Sequence, residues 1–413
     1  MRLSIKTMAM LCPVFLNMLP SLHAMDSAKV LPGGVRNVNV KNVQTTVSQT
    51  SDARGSVQAL GAPFEKAYTF QKAVDAETNA IKRQMMLGLL GNYAIATDDT
   101  LVEMHADVVS KVQIHALIAS YGITDRLTLA LAVPYYQARV AQSLGAHPTE
   151  KAQLLIDSLD ANHNDKAAAK AMSQKLNHFL DAMNDKLRAN GYAAIGDWQG
   201  SGIGDVVLGA KYQYLDSSYL RVASSHGFSF PTGRVDDPDN LLDVEFGTGS
   251  LGLFNAVLAD QPVGQGFFFN EYFKYTHYFP SAKRMRLIRD DERVDGIQAD
   301  KVGFQLGDQI EIGTSLQYEA DFGLVMGLGY SYSQKFADTY YVTLNEASKA
   351  ALESGTNIVS PYIETKIGYS SLSAFQRKEI AVPFTIGLEY RKNVATRNAK
   401  IKDIVLLDSN IYF

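Results

Sequence analysis

Cysteine and long apolar runs are scarce in this sequence of 413 residues. There is one cysteine, Cys12, so an intrachain disulfide and a metal site built on several cysteines are both excluded. No uncharged apolar run is long enough for a membrane-spanning helix, which needs about 20 residues. The sequence therefore predicts no transmembrane helix. The formal net charge of −4 likewise gives no indication of a nucleic-acid partner.

Enzyme signatures are also missing. The sequence contains no G-x-S-x-G, no H-E-x-x-H and no Walker loop. His115 and His277 lie in predicted strands and His226 lies near a strand end, each without an evident nucleophile beside it. The acidic run 236–239 lacks the glycine and the spacing of a calcium loop, so we interpret it as a solvated loop. We therefore predict a protein that is not an enzyme and that uses no cofactor and no metal.

The N-terminus has the three parts of a secretory signal. Arg2 and Lys6 form a basic start, an apolar run covers 8–18, and the small residue Ala24 stands at a plausible cleavage site. This pattern is typical of a signal peptide that is removed after export. We predict a cleaved signal peptide at 1–24.

Strict alternation of apolar and small or polar side chains dominates the chain from residue 85 onward. In one segment Phe322, Leu324, Met326, Leu328 and Tyr330 share one parity, with glycines and Ser331 among the residues of the other. This period of two is typical of β-strands and does not fit a helix. Twelve segments show it: 85–97, 108–121, 126–139, 203–216, 219–230, 248–259, 264–278, 309–320, 322–333, 357–370, 379–391 and 402–413. We predict an all-β fold, a transmembrane antiparallel β-barrel of about 12 strands (12–14) covering 85–413.

The connections between these segments are alternately tight and long. The long ones cover 140–202, 231–247, 279–308 and 334–356. Short periplasmic turns and long external loops are typical of the bacterial outer membrane, where membrane lipids and lipopolysaccharide would surround the barrel. The chain ends on Phe413, an aromatic residue on an apolar face, which resembles the signal read by the barrel-assembly machinery. We therefore predict an outer-membrane location.

Two regions do not resemble strands. Residues 25–84 precede the first predicted strand and read as a plug in the lumen, a periplasmic extension or a disordered leader, with a slight preference for a plug. Residues 149–190 form a helical insertion in the longest external loop, closed by Asn190 and Gly191 as a C-terminal cap. Its apolar residues recur at helical spacing: Met172, Leu176, Phe179, Met183 and Leu187.

Charged residues on the parity opposite to the predicted lipid face are expected to line the lumen. They are Lys111, Lys211, Glu311, Glu364, Lys366, Glu389 and Arg391. Because burial of a charge requires pairing or water, they form either a salt-bridged filling or a polar constriction on a permeation path. Pro134 interrupts the third predicted strand and Pro383 the eleventh, and each predicts a local bulge or kink, since proline lacks a ladder hydrogen bond.

Several glycine-rich motifs resemble those of a known family. They are Tyr121-Gly-Ile-Thr-Asp-Arg126, the strand that runs from Leu127 to Pro134-Tyr135, Gly202-Ile-Gly-Asp205, Phe230-Pro-Thr-Gly233 and Gly247-Thr-Gly-Ser250. The chain resembles the outer-membrane family annotated for the meta-pathway of phenol degradation, which is similar to long-chain fatty-acid and aromatic-hydrocarbon transporters. The resemblance covers 85–413, and its specific motifs are confined to 121–250.

The resemblance implies a transport role. In those transporters external helices form a hydrophobic landing site, an N-terminal plug blocks the lumen, and a kinked strand opens the wall sideways. The insertion 149–190 with its five apolar residues, the segment 25–84 and a lateral gap at Pro134 would fill these roles here. We predict a channel for passive uptake of small hydrophobic or aromatic molecules. A surface or structural barrel that does not transport, such as an adhesin, remains the alternative.

Overall fold

Twelve long antiparallel strands close into a barrel in the computed structural model, which describes residues 27–65, 67–163, 165–287, 298–341 and 346–413. The predicted signal peptide at 1–24 lies outside these residues. The strands are β1 (Arg36–Ser51), β2 (Thr100–Thr124), β3 (Leu127–Pro148), β4 (Val206–Asp216), β5 (Arg221–Phe230), β6 (Gly252–Gly264), β7 (Phe267–Tyr278), β8 (Gln309–Glu319), β9 (Leu324–Lys335), β10 (Ile358–Ser370), β11 (Phe384–Asn393) and β12 (Lys400–Tyr412). Each strand pairs with the next, and β1 pairs with both β12 and β2. The predicted twelve-stranded barrel is confirmed.

The first strand was predicted in the wrong place. The barrel begins at 36, inside the segment expected to precede it, and the predicted strand 85–97 is wrong because a helix, Ala80–Asn92, occupies most of it. Asn79 starts this helix by accepting hydrogen bonds from the backbone N–H groups of Ile81 (3.0 Å) and Lys82 (3.1 Å). An Asn cap satisfies amides that a strand would leave unpaired, which favours the helix over the strand.

Helices and short strands lie between the barrel strands. The helices are α1 (Phe70–Ala76), α2 (Ala80–Asn92), α3 (Glu150–Ala161), α4 (Lys166–Asn177), α5 (Phe179–Ala189), α6 (Glu346–Glu353) and α7 (Leu372–Gln376). Short strands pair with the barrel wall at Val57–Ala59, Tyr68–Thr69 and Trp198–Ile203, and a separate small sheet contains Ser281–Leu287, Gln298–Gln305 and Thr339–Tyr341. No helix within the described ranges is both long and apolar enough to span a bilayer.

The two ends of the barrel differ. Tight connections join β2 to β3, β4 to β5, β6 to β7 and β8 to β9 at one end, which we call the turn end. The long connections, α1 to α6 and the small sheet all lie at the other end, the loop end. The insertion predicted at 149–190 is helical, with α4 and α5 separated at His178. The alternation of tight and long connections follows the predicted one.

A belt of exposed apolar side chains surrounds the outside of the barrel. Among its members are Leu129, Leu131, Leu208, Phe228, Val257, Phe269, Phe273, Ile312, Leu316, Met326, Leu328, Ile363, Ile367, Ile386, Leu388, Val405 and Leu407. Tyrosines such as Tyr135 and Tyr390 lie on the same face. An apolar band bordered by aromatic rings is what a barrel presents to lipid.

The pattern inverts in β2 and β3, the two longest strands. Toward the loop end, the outward residues of β2 are polar and exposed, as at Glu103 and His105, whereas Val108 and Val112 point inward and are buried. These strands of 25 and 22 residues therefore continue beyond the apolar belt. Above the belt their apolar face supports a core inside the barrel rather than lipid contact.

Candidate functional site: the barrel lumen

The N-terminal segment crosses the lumen at the turn end. Ser27 donates a hydrogen bond of 2.6 Å from its hydroxyl to Asp260 of β6, and the backbone amide of Ala28 donates to the same carboxylate at 3.0 Å. Farther along, the Leu31 amide donates to Thr128 of β3 at 2.8 Å. Ala28 and Asp260 are both fully buried. Residues 27–34 thus form a short segment inside the turn end, which we call the plug, and β1, α1 and part of α2 lie between it and residue 84.

The loop between β5 and β6 folds into the lumen and is held by one carboxylate. Asp205, which is fully buried at the start of β4, accepts hydrogen bonds from the backbone amides of Gly233 (3.0 Å) and Thr248 (2.7 Å). The Thr248 hydroxyl donates to it as well, at 2.9 Å. Hydrogen bonds to an ionised buried acceptor are stronger than neutral ones. Asp205 therefore anchors both ends of this inward-folded loop, residues 231–251, to the barrel wall.

Glycine is required where the loop meets this anchor. A β-carbon at Gly247 would lie 2.3 Å from Oδ1 of Asp205, and one at Gly233 would lie 2.6 Å from the Phe246 carbonyl oxygen. A side chain at either position would push the loop off the carboxylate. The motifs at 202–205, 230–233 and 247–250 thus come together in space, which the sequence comparison did not predict.

An aromatic cluster lies where the loop contacts the wall. Phe246 of the loop stacks on Tyr136 of β3, with ring centroids 5.4 Å apart, and Trp198 lies beside it at 6.4 Å. The guanidinium of Arg234 lies 5.1 Å from both the Phe246 and the Trp198 rings and forms an ion pair of 2.9 Å with Asp243. Cation–π contacts of this kind add to the burial of the rings. These contacts hold the middle of the loop against the barrel wall, in addition to the hydrogen bonds of Asp205 at its ends.

One side of the lumen is apolar. The inward side chains of β1, β2, β3 and β12 form a continuous buried surface, which we call the apolar wall: Val43, Val47, Ala106, Val108, Val112, Ile114, Tyr136, Ala138, Val140, Ile404 and Leu406. Met183 and Leu187 of α5 and Phe246 of the inward-folded loop pack against it. Helix α5 and the loop therefore cover the apolar wall at the loop end.

The other side is polar and charged. Lys274 of β7 pairs with Glu311 of β8 at 2.9 Å, and the Ser331 hydroxyl donates to Glu364 at 2.5 Å. Arg391 donates to Glu389 on the same strand and lies 4.0 Å from Glu364. These pairs are inside the barrel, where removal of one partner would leave a costly unpaired charge.

Six of the seven residues expected in the lumen point inward. Glu311, Glu364, Glu389 and Arg391 are buried, Lys366 is half-buried, and Lys211 donates a hydrogen bond of 3.0 Å to the Ser27 carbonyl of the plug. The expectation for Lys111 is wrong. Lys111 is exposed on the outer face of β2, above the apolar belt, where the inward face is the apolar one. In that part of the strand the apolar side chains face the lumen and the polar ones face outward, so the apolar face does not mark the lipid side.

The five residues expected to form a landing site do not form an exposed surface. Leu176, Met183 and Leu187 are buried, and Met172 and Phe179 are partly buried against the same cores. The landing site on these residues therefore stays a prediction, and in this structure their side chains are covered. Apolar side chains at helical spacing pack here against α3 and the lumen, because helices of this length need a packed face for stability.

Pro134 coincides with a change of partner in β3. On the turn-end side, β3 pairs with β4 up to Ala132 opposite Val207. Beyond Pro134 it pairs instead with the short strand Trp198–Ile203, starting at Tyr135 opposite Ile203. The Gly204 amide donates to the Pro134 carbonyl at 2.9 Å, and Pro134 itself has no N–H to donate. The wall is therefore irregular at Pro134. Pro383 lies just before β11 and accepts a hydrogen bond from the Tyr412 amide at 3.0 Å.

A buried acid lies in the inward-folded loop. Burial raises the pKa of Glu245 to about 8, an effect that the nearby amine of Lys283 opposes and the carboxylate of Asp236 reinforces. Asp236 is itself buried and forms an ion pair with Lys283 at 2.7 Å, and Asp239 forms one with Arg286. The acidic run 236–239, interpreted from the sequence as a solvated loop, is therefore tied to the strand Ser281–Leu287.

Comparison with known proteins shows the fold but little sequence similarity. Neither a protein-family model nor a curated protein sequence matches the chain. An outer membrane channel from Pseudomonas putida F1 is similar over 95% of this chain and 100% of that chain, with a TM-score of 0.53 and 13% identity. The Ralstonia pickettii toluene transporter TbuX matches 94% of this chain and 92% of its own, with a TM-score of 0.34 and 9% identity. The first similarity supports the barrel fold, and the second is too weak to carry an argument.

Proposed function

We propose that the protein is an outer-membrane channel for passive uptake of small hydrophobic or aromatic molecules. The observation that supports it most directly is the apolar wall, because a barrel that only passes hydrophilic solutes has a polar interior. The apolar belt outside supports a position in lipid, and in this proposal the turn end faces the periplasm and the loop end faces the outside. We further infer membership of the phenol-degradation meta-pathway family that the motifs resemble.

The proposed route begins at the loop end. A molecule would displace α5 or the inward-folded loop, pass along the apolar wall, and leave through the lumen past the plug or through a lateral gap near Pro134. The change of strand partner at Pro134 supports the lateral gap, since fewer ladder hydrogen bonds have to open there. Small hydrophobic molecules bind to concave surfaces lined mainly by apolar groups, which the apolar wall offers.

Export and assembly complete the proposal. The signal peptide at 1–24 would direct the chain across the inner membrane, and lipids and lipopolysaccharide would contact the belt. Phe413 exchanges backbone hydrogen bonds with Arg36, at 2.8 and 3.0 Å, so the terminal aromatic residue lies at the junction of β1 and β12. Recognition of Phe413 by the barrel-assembly machinery would favour closure of that junction last. Passive uptake itself requires no enzymatic activity.

Uptake by intact cells tests the proposal. Cells without the gene and cells complemented with it would be compared for uptake of labelled monoaromatic compounds, fatty acids and a hydrophilic sugar of similar size. Faster uptake of the hydrophobic compounds alone, on complementation, is the expected result. Equal uptake by both strains, with normal assembly shown by a heat-modifiable band, would favour the alternative of a surface or structural barrel.

A further inference from the structure

We propose a second activity, in which Ser224, His226 and Asn255 form a catalytic triad that hydrolyses acyl esters of phospholipids. The site lies on the lipid-facing side of the barrel wall, so it is separate from the proposed transport path. The activity is additional to passive uptake, and either function can stand without the other. Its basis is a chain of hydrogen bonds between three polar side chains in a face that is otherwise apolar.

The three side chains are joined by two hydrogen bonds. Nε2 of His226 on β5 is 2.9 Å from the hydroxyl oxygen of Ser224, two residues earlier on the same strand. Nδ1 of His226 is 2.7 Å from Oδ1 of Asn255, which lies directly opposite on β6. A nucleophile, a base and a group that orients the base, each within hydrogen-bond distance of the next, are the arrangement of serine hydrolases.

The amide of Asn255 determines the role of each imidazole nitrogen. An amide oxygen can only accept a hydrogen bond, so Nδ1 of His226 carries the proton and donates it to Oδ1. Nε2 of the neutral ring is then an acceptor, and the Ser224 hydroxyl donates to it. In this tautomer the imidazole can take the serine proton as a general base.

All three side chains point away from the lumen. On β5, Ala223 is fully buried against the plug, so Ser224 and His226, on the opposite parity, point outward. On β6, Val257 shares the parity of Asn255 and is 52% exposed in the belt. Polar side chains that face hydrocarbon are costly, and a group of them indicates a functional site.

The depth of Ser224 fits the ester groups of a phospholipid. Ser224 is the fourth residue of β5 counted from the turn end, and Tyr212 opposite it and Tyr214 beside it are exposed. Exposed tyrosines mark the border between hydrocarbon and head groups, where the acyl esters of a phospholipid lie. In the orientation proposed above, this is the periplasmic leaflet, whose lipids are glycerophospholipids.

Tyr214 controls access to the nucleophile. Its hydroxyl oxygen is 2.9 Å from that of Ser224, and Ser224 is only 4% exposed. Tyr214 itself is 57% exposed and lies at the register shift between β4 and β5. An ester therefore reaches Oγ of Ser224 when the Tyr214 side chain turns toward the lipid. From there the tyrosine hydroxyl can donate to the ester carbonyl oxygen, where negative charge develops.

The reaction uses water as its second reactant. Oγ of Ser224 attacks the ester carbonyl carbon and His226 takes the hydroxyl proton. The ester C–O bond breaks and the proton passes to the leaving alkoxide, which gives a lysophospholipid and an acyl-serine. Water from the turn end then attacks the acyl-serine, His226 takes a proton from it, and the bond to Oγ breaks. The proton returns to Oγ, and a free fatty acid leaves.

Sequence motifs do not reveal this arrangement. Ser224 has no glycine two positions before or after it, as a hydrolase motif requires, and Asn255 is 29 residues from His226 on another strand. The prediction of a protein that is not an enzyme rests on such motifs, which do not detect a triad that is assembled by strand pairing.

The test measures lipid hydrolysis by protein refolded from inclusion bodies, since refolding excludes a copurified lipase. The folded barrel, checked by heat-modifiability, would be incubated at about pH 8, where an ordinary imidazole is neutral, with dipalmitoyl phosphatidylethanolamine in mixed micelles. Free palmitate and lysophospholipid would be measured by mass spectrometry. We expect release of both, and a loss of about 100-fold or more in Ser224→Ala and in His226→Gln. Asn255→Leu should also lose activity, whereas Asn255→Asp should retain it, because a carboxylate accepts the same hydrogen bond.

Two matched controls should keep full activity. Ser225→Ala changes the next serine, which points inward, and His115→Gln changes an outward histidine that contacts Asn42 at 2.6 Å but has no hydrogen bond to a serine among the described residues. A fluorophosphonate probe should label wild-type protein on Ser224 and leave Ser224→Ala unlabelled.

The outcomes separate the triad from transport. A folded wild type that neither hydrolyses the phospholipid nor reacts with the probe would overturn the triad and leave passive uptake standing. Hydrolysis that is equal in the wild type and in Ser224→Ala would exclude Ser224 as the nucleophile. Labelling of Ser224 without release of palmitate would overturn the assigned substrate.

Discussion

Asp205 joins segments of the chain that lie far apart in sequence. Its carboxylate accepts from Gly233 and Thr248, and it is fully buried beside Gly247. Three hydrogen bonds to one ionised group at a buried position make this residue the anchor of the inward-folded loop. Sequence reasoning identified the motif but assigned no role to Asp205, because the carboxylate and its partners are 28 and 43 residues apart.

Replacement of this anchor should loosen the loop without unfolding the barrel. Asp205→Asn keeps the shape but removes the charge and one acceptor, so we expect a loss of about 3 kcal/mol in the free energy of unfolding. A loosened loop would be cleaved faster by proteases within 231–251 and would give a larger single-channel conductance. Asp216→Asn, at an exposed ion pair with Arg221 at the turn end, is the control and should change neither. A loop as protected in Asp205→Asn as in the wild type would contradict the anchor role.

Glu271 is the charged exception on the lipid-facing side of β7. It is exposed between Phe269 and Phe273 and has no hydrogen bond or ion pair within the described ranges. A charge in the apolar band of a barrel costs free energy, less for Glu than for Lys or Arg. We expect Glu271→Leu to raise the stability by about 1–2 kcal/mol in urea unfolding from lipid vesicles.

A matched substitution outside the belt checks that the stability gain depends on contact with lipid. Glu103 also points outward, but it lies on the part of β2 that continues beyond the belt. Glu103→Leu should therefore change the stability by less than about 0.5 kcal/mol. Destabilisation by Glu271→Leu would contradict lipid exposure and would indicate that another protein covers this face.

Among the elements, the inward-folded loop is expected to respond to pH. Because the folded-state pKa of Glu245, about 8, exceeds its ordinary value of 4.5, the folded protein holds a proton that the unfolded chain has lost between these pH values. The free energy of unfolding therefore falls as pH rises from about 4.5 to about 8, and the whole of this loss remains above pH 8. Glu245→Gln removes the titration, so its stability advantage over the wild type should grow through this window.

Conductance gives an independent measurement of the same titration. Ionisation of Glu245 near pH 8 places a charge in a buried loop, so the ion conductance of the wild-type protein in a lipid bilayer should rise there and that of Glu245→Gln should not. A pH dependence that is identical in both proteins would assign the effect to other groups. Asp243→Asn would then be the next variant, because burial raises the pKa of Asp243 as well.

The elements that sequence reasoning placed correctly are those with one face in lipid. Strands such as β9 and β11 alternate cleanly because most of their length lies in the belt, so the period of two survives. Strand β1 was missed because its inward Asn37 and Asn39 form hydrogen bonds to Asp408 and Asn410 of β12, and its upper outward residues are polar. Neither face of β1 is apolar throughout, and one of its two partner strands, β12, lies 350 to 375 residues away in sequence.

Helix α2 shows the opposite error. Its run of methionines, leucines and glycines has the composition of a lipid-facing strand, and Ile81 and Met85 are indeed exposed. Local capping by Asn79 decides the structure, and the apolar run from Met85 to Leu90 conceals it because that run also fits a strand. The helical insertion was located correctly, but its apolar stripe faces a core that no local pattern distinguishes from an open surface.

At the scale of the whole molecule, we expect the plug to limit passage through the turn end. Residues 27–34 contact β3, β4 and β6 through Thr128, Gln213 and Asp260. Deletion of 27–34 should leave the barrel intact, since β1 begins after it, and should raise the ion conductance severalfold. Heat-modifiability would control for assembly. An unchanged conductance would mean that the inward-folded loop alone sets the resistance of the lumen.

The central claim is that hydrophobic molecules travel along the apolar wall. Ala138 points inward on this wall and its neighbour Arg139 points outward with 67% of its side chain exposed. Each would be replaced by cysteine, since Cys12 in the predicted signal is the one natural cysteine, and intact cells would be treated with a bulky thiol reagent. The account predicts that uptake of a labelled monoaromatic compound stops in labelled Ala138→Cys cells, returns after reduction, and never changes in Arg139→Cys cells. Undiminished uptake in labelled Ala138→Cys cells would contradict it.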